Sequence, residues 1–177
     1  MAKKLAFMTF GQLVEEFGHP TVQSFVDRVP GVYDAADRTP GFVDRSKRSM
    51  EDYSHSWGEI VAPKCWGGET SLRTAATLSL WDDIESVAAF AYHGPHGEAM
   101  KRRSEWFIHN GLPEHVAWWI DDEEEVDWQM AADRLDHLHD HGSTSTAFNL
   151  RKPFDADGEP YKLDTPLVRE KSKEIAG

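Results

Sequence analysis

Residues 77–107, TLSLWDDIESVAAFAYHGPHGEAMKRRSEWF, constrain the fold more than any other stretch of the chain. Ala76, Leu78 and Leu80 alternate with Thr77 and Ser79. That period of two predicts a strand with one apolar and one polar face. Asp82 then stands where a helix N-cap is expected, and Glu85 three residues on can complete a capping box. Ile84, Val87, Ala88 and Ala91 follow at helical spacing and predict one buried stripe. Gly94 ends that helix, and Pro95 suits the first turn of the next. On the second helix His96, Met100, Arg103 and Phe107 fall along one face, beside Ala99 and Trp106. A histidine opening a largely apolar stripe needs a partner once it is buried. The simplest role for His96 is a hydrogen bond to nearby backbone. The chemical alternative is a pocket histidine serving as general base, proton relay or axial ligand to a haem. His93 lies three residues earlier, across the helix break.

The same patterns recur along the chain. Residues 5–10 alternate as a first strand. Thr21 caps a helix reaching to about residue 37, interrupted or divided at Pro30-Gly31. Residues 41–45 start a second strand, 73–80 form the third and 115–120 the fourth. Segment 46–70 is polar and reads as a loop or insertion, with 57–62 able to resume a strand. Asp127 caps a further helix with Trp128, Ala131, Leu135 and Leu138 as its buried stripe. Residues 147–150 give a last short strand. The order strand, helix, strand, strand, helix, strand predicts an α+β fold of the ferredoxin-like split βαβ kind, an antiparallel sheet with helices on one face. A chain of 177 residues is one ordinary domain. It divides into a domain over 1–152 and an extended tail over 153–177 that packs on a neighbour or stays mobile.

Charge and cysteine content exclude several functions. There are 19 Lys plus Arg against 31 Asp plus Glu, a formal net charge of −12. Such a surface repels nucleic acid and anionic membranes, so neither is expected as a main partner. No apolar run approaches a membrane span, and MAKKLAFMTF lacks a signal-peptide core, so a soluble cytoplasmic protein is expected. Cys65 is the single cysteine; it permits no intrachain disulfide or cysteine-based zinc site, and no base adjoins it in sequence. His137 and His141 are four apart, with Asp133 and Asp140 nearby. That spacing can bind a divalent metal, but a charged outer face at a helix end is the stronger reading. Seven Trp in so short a chain imply an aromatic-lined cavity, a large interface, or both.

The wording of several segments is also familiar. PGFV (40–43), LSLWDDIESVAAFAYHGPH (78–96), RRSEWF (102–107), VAWWI (116–120) and DRLDHLHDHGSTSTAF (133–148) resemble the DUF3291 family, an uncharacterised group in the dimeric α/β-barrel superfamily. The resemblance covers about residues 4–150. The chain is similar, more distantly, to antibiotic-biosynthesis monooxygenases and haem-degrading enzymes. The resemblance implies a homodimer whose two sheets close into a barrel, with a pocket between sheet and helices. Family members tend to carry Asn where Thr9 stands, Trp where Asp44 stands, and a Pro-containing turn at 142–145.

Fold alone does not choose a chemistry, and three functions are carried forward. The first is a small biosynthetic enzyme acting on an aromatic or polycyclic metabolite as a monooxygenase, cyclase or isomerase, with no bound organic cofactor. Trp81, Trp106 and Trp119 would wall its pocket, with Thr9 and Met100 also touching substrate. His96 would be the acid–base group. Asp44 would orient it or act as a second acid or base if it points inward, and Arg103 would stabilise an enolate or phenolate. The second is a haem protein with His96 or His93 as axial ligand. The third is a non-catalytic module that binds a small apolar ligand.

Overall fold

In the computed structural model, which describes residues 2–175, the alternating segments form one four-stranded sheet. Its strands are β1 (Lys3–Gln12), β2 (Phe42–Arg45), β3 (Thr74–Trp81) and β4 (His115–Asp121). They lie in the order β2-β3-β1-β4, and every pairing is antiparallel. β1 is central and apolar on both sides: Leu5 and Phe7 face one core, Ala6, Met8 and Phe10 the other.

Helical segments fill the connections after β1 and after β3, while the one from β2 to β3 is irregular apart from a 3-10 turn at Lys64–Trp66. α1 (Pro20–Val26) and α2 (Val29–Arg38) join β1 to β2. Pro30 sits in the first turn of α2, where its missing N–H costs nothing, so the expected break falls just before it. α3 (Ile84–Tyr92) and α4 (Gly94–Arg102) lie between β3 and β4, and a single 3-10 turn, Arg103–Glu105, ends that run. α5 (Trp128–His141) and α6 (Thr165–Ile175) follow β4.

Local capping matches the sequence at α5 and departs from it at α1 and α3; at α1 the cap is His19, whose Nδ1 accepts from the Thr21 N–H at 3.2 Å, and not Thr21. Asp127 caps α5 by accepting from the Met130 N–H at 2.7 Å. At α3 the cap is Asp83, not Asp82: Asp83 Oδ1 accepts from the Ser86 N–H at 2.7 Å. Glu85 is therefore released from the capping box. Its carboxylate, only 4 % exposed, accepts from the Tyr161 hydroxyl at 2.7 Å and the Asp164 N–H at 3.0 Å. A buried carboxylate needs such donors, and they come from the C-terminal strap.

The sheet is covered on both faces, which corrects the expectation of helices on one face. Leu5, Phe7, Trp81 and Ala117 pack under α2, α3 and α6. On the other side Met8, Leu78, Val116 and Trp118 pack against Trp128, Ala131 and Leu135 of α5, and against Ala62 and Trp66. An apolar sheet face must be buried against something, and here the chain supplies the cover itself. Residues 57–62 do not resume a strand; Trp57, Ile60 and Val61 pack on this second core as irregular chain. The segment is pinned by Asp136 of α5, whose carboxylate accepts from the Lys64 and Cys65 N–H groups at 2.9 and 2.8 Å. Residues 147–150 make one bridge, Phe148 to Ala117, rather than a strand.

The C-terminal region folds back on its own chain. Val168 and Ile175 of α6 join the first core, and Lys171 Nζ reaches Asp83 Oδ2 at 3.2 Å and Ser86 Oγ at 3.0 Å. Among the described residues no helix is long and apolar enough to cross a membrane.

Candidate functional site

Strand register assembles the first polar cluster. Thr9 pairs with Thr77 on one side and with His115 on the other. Directly paired residues in an antiparallel sheet project from the same face. Thr77, Thr9 and His115 therefore form one rung, on the side that α2, α3 and α6 cover. The Thr9 and Thr77 hydroxyls are hydrogen-bonded at 2.5 Å. The parallel rung towards the far end of the same face, Trp81, Leu5 and Trp119, is apolar. Two residues along β1, the Phe107 ring lies against Gly11; a Cβ there would stand 2.9 Å from its Cδ1.

His115 is held as a neutral imidazole. Its Nε2 accepts from the Leu150 N–H at 3.3 Å, so the ring proton sits on Nδ1. The ring lies 5.9 Å from that of Phe7. Burial, then the positive charges of Arg151 and Arg103, pull its pKa down to about 4. Tyr92, at the end of α3, feels the same two guanidinium groups: burial raises its pKa while Arg151 and Arg103 oppose the rise. Arg103 Nη1 contacts Glu114 Oε2 at 3.4 Å, and Glu114 also faces His109 Nδ1 at 3.7 Å.

His96 takes the complementary tautomer. Its Nδ1 bonds the Ala91 carbonyl at 2.8 Å, and a carbonyl only accepts, so Nδ1 carries the proton and Nε2 keeps its lone pair. The ring lies 4.7 Å from Phe90, which lies 5.3 Å from Trp81. Burial holds this imidazole below its ordinary pKa, opposed by the bond to Ala91. The backbone-bonding role expected for His96 is therefore present, and the other nitrogen is left as a base.

The remaining expected residues do not gather around it. Trp81 is fully buried, with Nε1 donating to Ser79 Oγ at 2.8 Å. Trp106 belongs to a separate core with Leu13 and Val22 and donates to Ser24 Oγ at 2.9 Å. Trp119 donates to the Phe154 carbonyl at 2.9 Å. Trp81 and Trp119 thus flank Leu5 in the first core while Trp106 packs in another, so the three do not form one wall. Met100 is half-buried on α4. Asp44 pairs with Leu80, whose side chain packs on the α5 side of the sheet. Its Oδ1 lies 3.4 Å from Lys47 Nζ at the surface. Asp44 is thus on the wrong side of the sheet to orient His96.

Haem does not fit these residues. His93 is exposed at the start of α4. His96 has a ligand-competent nitrogen, but the Phe90–Trp81 stack fills the space beside its ring, and the tryptophans that would line a porphyrin are divided between cores. On α5, His137 and His141 lie 4.5 Å apart between ring centroids, and His137 Nε2 is within 2.9 Å of Thr144 Oγ1. A surface hollow of about 500 Å³ lies alongside, lined by Met130, Asp133, Arg134 and His137 among others. Among the described residues no group of three or more His, Cys, Asp or Glu side chains is placed to hold a metal ion. Burial, then the hydrogen bond and charge of Asp136, push the Cys65 thiol up to about 12, which removes it as a thiolate nucleophile at neutral pH.

Tyr92, His115 and Arg151 were not among the residues singled out from sequence. His115 carried one usable signal: it lies on the same face of its strand as Ala117 and Trp119. Its pairing with Thr9 follows only from the register.

The site thus lies on the side of an antiparallel α+β sheet that α2, α3 and α6 cover. The chain belongs to the DUF3291 family, a domain of unknown function, which matches residues 4–164. The match runs past residue 150 and takes in Tyr161 and Asp164, the strap residues bonded to Glu85. No curated protein matches the chain. Among solved structures it is similar to a conserved protein from Methanosarcina mazei Go1, with a TM-score of 0.41, 12% sequence identity, and coverage of 69% of this chain and 95% of that chain.

Proposed function

We propose that this chain is a small-molecule enzyme acting on an aromatic or polycyclic metabolite, with monooxygenase, cyclase or isomerase chemistry on the side of the sheet that α2, α3 and α6 cover. One observation carries the proposal: two neutral imidazoles on that side stand in opposite tautomers. His96 offers the Nε2 lone pair of a base, and His115 offers an Nδ1–H donor. A free imidazole nitrogen suits proton abstraction from a phenol or from carbon beside a carbonyl, and an N–H donor suits the oxygen on which charge develops. His96 takes the proton; Arg103 and the His115 N–H stabilise the resulting oxyanion. Thr9 adds a hydroxyl to the floor.

The strand order, with helical connections after β1 and β3, supports a ferredoxin-like plait. A homodimer remains part of the proposal, but through another surface than the resemblance implied. Closing two sheets into a barrel needs the face that Trp128, Leu135 and Trp66 already occupy.

The test is turnover of a panel of polycyclic phenols, followed by absorbance and by oxygen uptake. Uptake marks oxygenation; absorbance change without uptake marks rearrangement. His96→Gln is expected to lower kcat by about 10²–10⁴-fold; an unchanged kcat overturns the assignment. The packed surroundings of Trp81 and Trp106 favour a second reading, a binding module, which predicts ligand binding with no turnover by the wild type.

A further inference from the structure

We infer that Arg103, Arg151 and Tyr92, above the Thr77–Thr9–His115 rung, form a binding site for the oxyanion of a small aromatic acid, a carboxylate or phenolate. The inference rests on the site proposed above and names the handle by which that site holds its ligand.

The cluster is built almost wholly of donors. Arg151 has no ion-pair partner among the described residues. Arg103 has one carboxylate neighbour, Glu114, at 3.4 Å and shared with His109. Arg103 Nη1 touches Glu114, the residue before His115, and Arg151 follows Leu150, whose N–H bonds His115 Nε2, so both chain segments meet beside His115; the charges of both arginines also act on Tyr92 and His115. The Tyr92 residue is 50 % exposed, and its hydroxyl has no hydrogen-bond partner among the described residues. The same is true of the His115 Nδ1–H, because Nε2 takes the Leu150 bond. Thr9 and Thr77 share one hydrogen bond; two hydroxyls with one bond between them leave one hydrogen to donate.

Elsewhere this is an acidic molecule, with a formal net charge of −12. Two converging arginines with a single shared carboxylate among them make a local positive field in that surface. A bidentate guanidinium contact suits a carboxylate in particular. Beside the donors, the half-buried Phe107 ring against Gly11 adds apolar area for an aromatic body, and the buried Phe7 backs the His115 ring. A ligand that brings an anion and an aromatic ring satisfies every one of these groups.

The experiment is calorimetric titration of the full-length protein with benzoate and salicylate, against benzamide as the neutral isostere. Benzoate and salicylate are expected to bind at least about tenfold more tightly than benzamide, with affinity falling as salt rises. Arg103→Gln and Arg151→Gln are each expected to weaken benzoate by about tenfold, while Arg103→Lys retains part of the affinity. Both arginines are exposed, and unchanged thermal midpoints will show the variants folded. Equal affinity for benzoate and benzamide, unchanged binding by the double Gln variant, or no benzoate binding at millimolar concentration overturns the inference. Its failure is separable from that of the catalytic proposal. Benzoate binding lost in the double variant, with no phenol turned over, removes the enzyme and keeps the anion site. Phenol turnover by the wild type that is lost in His96→Gln, with no benzoate binding by the wild type, keeps the enzyme and removes the anion site.

Discussion

His115→Gln should flatten the acid side of the stability curve. The native imidazole has its pKa pulled from 6.5 to about 4, by burial first and then by Arg151 and Arg103. In the unfolded chain the ring regains its ordinary value. As pH falls below 6.5 the unfolded chain therefore binds a proton that the native protein refuses, and stability is lost down to about pH 4. At about 1.4 kcal/mol per pKa unit the full loss is about 3 kcal/mol. Between pH 7 and pH 5 it is about 2 kcal/mol. Glutamine keeps an acceptor for the Leu150 N–H and cannot titrate. The assay is urea unfolding of wild type and variant at both pH values. His96 is also depressed by burial, and carboxylates contribute as well, so the informative quantity is the difference between the two proteins. The wild type should lose about 2 kcal/mol more than His115→Gln across that interval. Equal losses, or an NMR titration placing the His115 ring near 6.5, would refute the reasoning.

Three further outcomes test the frame around the site. Tyr161→Phe removes one of two donors to the buried Glu85 carboxylate and should cost about 1–3 kcal/mol in urea unfolding; an unchanged midpoint would show that the strap does not hold α3. Gly41 has φ +88° and faces Ser86, so Gly41→Ala should cost about 2 kcal/mol from backbone strain and crowding together, read as a lowered thermal midpoint. With its thiol pushed up to about 12, Cys65 should resist iodoacetamide at pH 8 in the native state and react in urea; Asp136→Asn should speed the native reaction, because both the hydrogen bond and the charge of Asp136 hold the thiol protonated.

Much of the local structure was legible because it depends on neighbours in sequence. The alternation in β1, β3 and β4 and the 3.6-residue stripes of α3 and α5 appear where the side-chain periods predict them. Asp127 caps its helix as read. The capping box at Asp82 and Glu85 failed for a tertiary reason: Asp83 satisfies the helix end, and Glu85 has stronger partners in Tyr161 and Asp164, which lie 76 and 79 residues away in sequence. The tail looked unstructured by composition, yet Val168 and Ile175 give α6 an apolar face that α3 buries. The segment 57–62 has strand-like residues, yet Trp57, Ile60 and Val61 pack side chains on the second core without pairing backbone.

What the sequence determined by itself is the four strands, the helices α3 and α5 with the Asp127 cap, and the acidic surface, since propensity, periodicity and charge are properties of short stretches. It also marked His96 as a histidine in need of a partner, and the Ala91 carbonyl five residues back is that partner. Tertiary structure alone decided which groups meet. Register places Thr9 between Thr77 and His115, the sheet separates Asp44 from His96, and the return of the chain at Leu150 sets the tautomer of His115. Those contacts join residues 35 to 106 positions apart, and no local pattern encodes the pairing of one strand with another.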